Sequence, residues 1–253
     1  MPPGFANHVT QPEELYNNFL HERQFTDTDT QQLKLELLPK EATQRLLGHT
    51  SEWAVKIPYF DIDGNATDFI RVRLLTPKSK MKYSQARASG SHIYFPPTVL
   101  WRSILTDVNV PLIITEGEFK AWHIIRASAN EGLPHACVGL AGVTSWTDKN
   151  GLHLHRDLMQ FAWKRKTNFS EKSRQVFIIF DYDGAKTDGE PNEQVGMAET
   201  KLAVMLRGLG AEVHLCRIGK FGNGQGKKYA IDDHIIKGGT LGEVLLTTSI
   251  VMN

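Results

Sequence analysis

From Val110 to Ile218, short apolar runs of strand length alternate with longer amphipathic stretches, and no other feature restricts the chain as much. VPLIIT suits a strand buried on both faces, and the apolar spacing of EFKAWHIIRASANEG predicts a helix ending near Gly132. ACVGL and QVFIIF repeat the strand pattern. LHRDLMQFAWKRK and QVGMAETKLAVMLRGLG repeat the helical one, and AEVHLCRI closes the series. The predicted order βαβαβαβ implies an α/β class with a mainly parallel sheet flanked by helices. Ligands of such sheets sit outside the carboxyl ends of the strands, so the residues there are the first to weigh for function.

Two of those ends carry acids. VPLIIT leads into Glu116-Gly117-Glu118, and QVFIIF into Asp181-Tyr182-Asp183-Gly184. Asp181 and Asp183 are two apart and share a side of extended backbone, and a pair of carboxylates held together is costly unless a cation neutralises it. Oxygen donors with open positions suit Mg²⁺ (or Mn²⁺), which takes one or two carboxylates together with substrate phosphate. Gly117 and Gly184 remove side chains beside the acids. Each piece has an ordinary reading: an Asp-x-Asp is commonly a solvated turn, and acids after a strand commonly serve a helix N-terminus. The conjunction of both in one α/β unit is more specific.

The preceding region reads differently. WAVKIPYFDIDGNATDFIRVRLL holds two alternating runs around Asp63-Gly64-Asn65, which predicts an antiparallel hairpin. Residues 78–91 read as a basic loop, and HIYFPP as an extended segment. From Arg71 to Arg102 the chain carries Arg71, Arg73, Lys78, Lys80, Lys82, Arg87 and Arg102 without one Asp or Glu. Tyr83, Tyr94, Phe95 and Trp101 lie among them. A charge run is ordinarily a solvated face, but this mixture suits contact with a nucleic-acid backbone plus base stacking, with Arg71, Arg73, Lys80, Lys82 and Arg87 as the candidates. The net charge of +1 adds no global argument. A second cluster, Trp163-Lys164-Arg165-Lys166, is predicted at a helix end, where the dipole favours cations. Residues 1–50 are polar, with a helical stretch KEATQRLLG that stops at Gly48. The expected organisation is a partly helical extension over 1–50, a smaller α+β basic subdomain over 51–109, and the α/β domain over 110–253.

Cys137 and Cys216 both lie inside apolar runs, which predicts buried thiols and a reducing, cytoplasmic setting. No run of eighteen apolar residues and no leader pattern is present, so no membrane partner is expected. There is no Walker A sequence, Cys/His zinc constellation or Gly-x-Ser-x-Gly elbow, and His123, His153, His155 and His234 share no metal-ligand spacing.

The acid-bearing segments resemble a known family. TEGE after one apolar strand and FDYDG after another are similar to the two signature motifs of the Toprim domain of bacterial-type primases, topoisomerases and some nucleases. LIITEGEFKA, VGLAGVTSW, FDYDGAK, the helix ending LGAEVHLCRI, and KKYAIDDHIIKGG follow in the order of the Toprim-like domain of uncharacterised function in phage and plasmid replication proteins. The resemblance implies Glu116 as the signature glutamate, a general acid/base or metal ligand, and Asp181 and Asp183 as the metal-binding pair. Asp232 and Asp233 fall on the family's late Asp-Asp segment, as further ligands or as a helix N-cap. Lys120, one turn past Glu116, would reach a phosphate or lie at the surface. The long loop GAKTDGEPNEQV after Asp183 departs from bacterial-type primases and fits the phage and plasmid variant better. Three functions stand open: primase-type nucleotidyl transfer with Mg²⁺ on single-stranded DNA template and nucleotides, a Toprim nuclease, or a non-catalytic single-stranded DNA-binding module recruiting a helicase or polymerase.

Overall fold

In the computed structural model, which describes residues 11–78, 81–182, 192–222 and 228–250, the chain divides into two units. One holds the residues up to Tyr59 together with Thr67–Ser89, and the other Phe60–Ala66 together with Gly90 onward.

The first unit contains α1 (Pro12–Glu22), α2 (Asp27–Gln32), β1 (Glu36–Leu38), α3 (Lys40–Leu47), β2 (Ala54–Phe60), β3 (Ala66–Leu74) and β4 (Tyr83–Gln85). Its strands pair in the order β1-β2-β3-β4. Thr26 opens α2 with a reciprocal cap: its hydroxyl accepts from Asp29 N, and the Asp29 carboxylate accepts from Thr26 N. α3 stops at Gly48, whose φ of +74° closes the helix. The predicted hairpin is β2–β3, and Asp61 shapes its turn by accepting from the backbone N–H groups of Asp63 and Asn65. The N-terminal segment is integral to this unit, since β1 pairs with β2 and Leu33, Leu35 and Leu47 are buried. The predicted loop over 78–91 holds β4, in register with β3 at Arg71↔Gln85 and Arg73↔Tyr83. So short an edge strand leaves little periodicity to read.

The second unit runs β5 (Ile93–Tyr94), α4 (Trp101–Thr106), β6 (Leu112–Glu116), α5 (Glu118–Asn130), β7 (Ala136–Leu140), β8 (Lys164–Lys166), β9 (Glu171–Ser173), β10 (Gln175–Ile179), α6 (Glu193–Gly208), β11 (Glu212–Leu215), α7 (Ile231–Ile236), α8 (Leu241–Leu245) and β12 (Ser249–Ile250). Its sheet has the order β12-β11-β10-β6-β7-β5. The four inner strands are parallel, and β5 and β12 pair antiparallel at the edges. The α/β class and the mainly parallel sheet flanked by helices are therefore as the sequence implies. Leu112, Ile113 and Ile114 are all fully buried, as a strand covered on both faces requires. Leu202 and Leu206 of α6 complete the same core with Val176, Ile178 and Val213.

One expected helix is absent. LHRDLMQFAWKRK forms a 3₁₀ turn at Leu158–Gln160 followed by β8, which pairs with β9 as a separate ribbon. The helical spacing of Leu154, Leu158 and Phe161 is real, and all three are buried. Their backbone, however, bonds to other segments: His155 N to Trp146 O, Ala162 N to Leu105 O, and Arg174 N to Trp163 O, each at 2.7 Å. Tertiary pairing takes the place of the i→i−4 ladder, and Lys164-Arg165-Lys166 lies on a strand and not at a helix end. Both thiols are free and buried, as read from the sequence. Among the described residues no helix is long and apolar enough to cross a membrane.

Candidate active site

β6 delivers Glu116 at its carboxyl end, and Gly117 turns the chain into α5 at φ +100°, a conformation other residues rarely adopt. Gly117 N donates to Leu140 O at 2.7 Å, which draws this turn against β7. A Cβ at Gly139 would come 2.7 Å from the Gly117 carbonyl, so the close approach needs glycine on the facing strand as well. The buried Thr115 hydroxyl donates to Ile179 O at 2.8 Å and ties β6 to β10. Asp181 stands two residues past β10. Tyr182 and Tyr229 then exchange two backbone hydrogen bonds, of 2.9 and 2.7 Å, and this bridge returns the segment 228–232 to the same edge.

Asp181 is only 5% exposed. Its Oδ2 accepts from Lys120 Nζ at 2.9 Å and pairs with Lys228 Nζ at 3.1 Å. Burial by itself would depress the Lys120 ammonium, but attraction to Asp181, then Asp232 and Glu116, outweighs it and holds the pKa above the ordinary lysine value. Of these carboxylates Asp181 is the one in contact with the half-buried ammonium. Lys120 is no surface lysine, and in this structure it meets Asp181. The two late aspartates divide: Asp232 is buried, whereas Asp233 accepts from Ala230 N at 3.2 Å and caps α7. Glu118 is buried in the first turn of α5. Beside Asp181, Arg217 donates through Nη1 to both oxygens of the buried Glu199, at 2.8 and 2.9 Å. These groups border a cavity of about 10 Å³, room for one water.

Lys228, Glu199 and Arg217 are additions to the residues singled out from sequence. Lys228 was within reach, because it belongs to the KKYAIDD segment. Glu199 and Arg217 lie eighteen positions apart and meet only through folding, so no local pattern marks them. Asp183 and Lys80 lie outside the described residues. Among the described residues, no three His, Cys, Asp or Glu side chains form a cluster of metal-binding geometry.

The basic stretch belongs to the first unit up to Ser89. Arg71 and Arg73 project from one side of β3, and each guanidinium lies 5.3 Å from the Tyr83 ring centroid. Arg71 is buried, and Arg73 donates to Leu74 O at 2.7 Å. Burial lowers the pKa of Arg73. Lys82 and Arg87 are exposed. The absence of acids within the stretch does not leave all its cations unbalanced: Lys78 pairs with Glu52 at 3.4 Å, and Arg102 grips Asp63 with two nitrogens. Three of the four aromatic rings expected to stack on bases are core residues, since Tyr94, Phe95 and Trp101 are buried. Their apolar bulk belongs to the packing of the second unit, where Phe95 meets Trp101 edge-on and stacks on Phe161.

Residues 100–241, more than half of the chain, match the family described as Domain of unknown function (DUF3854). The chain belongs to this family. The DUF3854 region contains β6, β7, β10 and β11 and every acid of the centre. Among solved structures, the chain is similar to the Aquifex aeolicus primase (zinc-binding and RNA polymerase domains), with 16% identity, a TM-score of 0.57, and coverage of 95% of this chain and 57% of that one. It is similar to the RNA polymerase domain of Mycobacterium tuberculosis primase DnaG in complex with double-stranded DNA, at 14% identity and TM-score 0.58, covering 96% of this chain and 76% of that one. The E. coli primase catalytic core gives 13% identity and TM-score 0.57, with 96% and 75% covered. At such identities the likeness is one of fold. The chain spans just over half of the Aquifex primase chain and about three quarters of the other two. No curated protein matches the sequence.

Proposed function

We propose that this DUF3854 protein is a Mg²⁺-dependent primase-type nucleotidyltransferase of phage or plasmid DNA replication, with a Toprim-like centre of Glu116, Asp181, Asp183 and Asp232. The observation that carries this reading is the Lys120–Asp181 contact of 2.9 Å at the carboxyl edge of adjacent parallel strands, one of which ends at Glu116. The fold shared with primase catalytic cores supports it.

The donors fit the ion in type, since carboxylate oxygens are what Mg²⁺ takes, and the ion would take the place that Lys120 and Lys228 hold beside Asp181. When bound, the ion supplies charge to the transferring phosphate and acidity to the attacking hydroxyl. Glu116, facing that edge from β6, accepts the proton of a primer 3′-hydroxyl at its carboxylate. Lys228, 66% exposed, meets the triphosphate of the incoming nucleotide. Single-stranded DNA is the template, and a replicative helicase or polymerase the partner.

The test is an assay with template, ribonucleotides and Mg²⁺ or Mn²⁺, on the native chain and on Glu116→Gln, which keeps the shape and removes the charge. New primers made only by the native chain support the reading. A shortened template lost with the same substitution assigns a nuclease. One observation favours a non-catalytic single-stranded DNA-binding module: Asp181 is already neutralised by protein cations. Equal DNA binding by both forms and no product, with partner proteins added, would establish that module.

A further inference from the structure

The ribbon from Lys164 to Ser173 is set apart from the main sheet, with register Lys164↔Ser173, Arg165↔Lys172 and Lys166↔Glu171. It carries four cations and one acid. Arg165 and Lys172 face each other directly on one side, and like charges so placed destabilise a strand pair. On the other side Lys164 and Lys166 share Glu171 at 3.7 and 3.9 Å, long contacts between exposed groups that contribute little. Lys172 also reaches Asn109 Oδ1 at 2.6 Å, a neutral partner that leaves the charge in place. At the tip, Thr167 N donates to Ser170 O at 2.8 Å, and the Thr167 hydroxyl accepts from Ser170 N at 3.1 Å. That turn presents Phe169 at 97% exposure.

A lone two-stranded ribbon is marginal in water, so its order has to come from its base. Trp163 is buried where β8 begins, and Arg174, fully buried where β9 ends, donates to the carbonyls of Ile104, Ala162 and Val110 at 2.7–2.8 Å. The cations therefore stand on an anchored support. Lysines along an exposed edge also discourage edge-to-edge pairing, which would account for the charge by itself. It accounts neither for an aromatic ring held outward at the tip nor for Arg165 opposite Lys172. A polyanion with π-faces accounts for both, because phosphates neutralise facing cations and bases stack on exposed rings.

We infer that the β8–β9 ribbon is a nucleic-acid contact distinct from the basic stretch over 71–87, gripping single-stranded nucleic acid through the facing pair Arg165 and Lys172 and stacking a base on Phe169. It precedes β10, whereas Asp181 follows that strand, so the ribbon and the acids stand at opposite ends of β10. The ribbon holds the strand away from the acid centre. This inference rests on the nucleic-acid reading proposed above.

The test uses the full chain and labelled oligothymidylate, titrated over a range of salt. Arg165→Gln/Lys172→Gln should lower the log–log salt slope by roughly 1.4, for two phosphate contacts at about 0.7 each. Phe169→Ala should weaken binding on the order of tenfold with its slope unchanged. All three residues are exposed, and unaltered thermal unfolding of each variant checks that the fold is kept. If the native chain binds and both variants bind identically, the ribbon is overturned while the nucleic-acid reading stands. If the native chain binds no oligonucleotide, that reading falls and the ribbon with it. Duplex bound as tightly as single strand, with Phe169→Ala inert, overturns the stacking partner. Binding to phosphatidylserine vesicles but not to oligonucleotide overturns nucleic acid as the occupant.

Discussion

Asp181 pairs with two lysines through one oxygen, and Lys120, at 16% exposure, is far more enclosed with it than Lys228 at 66%. Removing one member of a buried pair leaves the other charge stranded, at a cost of about 3 kcal/mol or more, whereas removing both costs far less. Asp181→Asn should therefore destabilise the chain by roughly 3 kcal/mol in urea unfolding at pH 7, and Asp181→Asn/Lys120→Met should recover at least about 1 kcal/mol of that. Simple additivity of the two substitutions would show that the pair is not coupled. The double variant also separates lost chemistry from lost folding when activity is measured. The thiols give a prediction of another kind. Burial, reinforced by Glu199, pushes Cys216 up to about 12, and burial raises Cys137 as well. An unfolded thiol ionises near 8.5, so above that pH the unfolded chain has lost protons that the folded chain keeps. Stability must then fall as pH rises from about 8.5 toward 12, by up to about 1.4 kcal/mol per unit for Cys216. Urea midpoints at pH 7, 9 and 10 should decline less steeply in Cys137→Ala/Cys216→Ala than in the native chain, and equal declines would remove the thiols as the cause.

At the level of elements, the ribbon and its base depend on Arg174. Its guanidinium donates to Ile104 O and Leu105 O, at the carboxyl end of α4, as well as to Val110 O and Ala162 O. Those helix-end carbonyls have no partner inside α4, and the positive charge also suits the negative end of the helix. Arg174→Met should strand several buried acceptors and cost about 3 kcal/mol, with hydrogen exchange rising first in α4 and the ribbon. Unchanged exchange in both would mean that Arg174 does not hold them. None of this is legible in LHRDLMQFAWKRK, where Leu154, Leu158 and Phe161 satisfy a helical period by packing on the core without forming a helix. The inner strands were legible because burial on both faces writes itself as an unbroken apolar run, as at Leu112–Ile114. The acids at their ends were legible for the same reason, since the run fixes where each strand stops. The Lys120–Asp181 pair was not, because sixty-one positions separate its members and only the β6–β10 pairing brings them together. Asp232-Asp233 was half legible: sequence allowed a ligand or a cap, and the fold makes Asp233 the cap of α7 and buries Asp232.

Across the whole molecule, a net charge of +1 means that any nucleic-acid affinity comes from local clusters, and salt dependence can count them. In the first unit the five candidate cations are not equivalent. Arg71 and Arg73 are packed on Tyr83, a stacked arrangement that contributes to stability, while Lys82 and Arg87 are exposed and able to meet phosphates. Lys82→Gln/Arg87→Gln should therefore lower the log–log salt slope for single-stranded DNA by roughly 1.4, at about 0.7 per phosphate, and leave the unfolding midpoint unchanged. Arg73→Gln should do the reverse, losing about 1 kcal/mol of stability while the slope holds, because a half-buried guanidinium packed on Tyr83 contributes packing as well as charge. Glu116→Gln should leave the slope nearly as it was and should not weaken binding, since an acid at a strand end adds no phosphate contact and repels phosphate unless a cation intervenes. Salt titrations of these three variants beside the native chain distinguish the roles in one experiment. A slope that falls with Arg73→Gln but not with Lys82→Gln/Arg87→Gln would mean that the packed arginines leave Tyr83 to bind DNA, and would reverse the division made here.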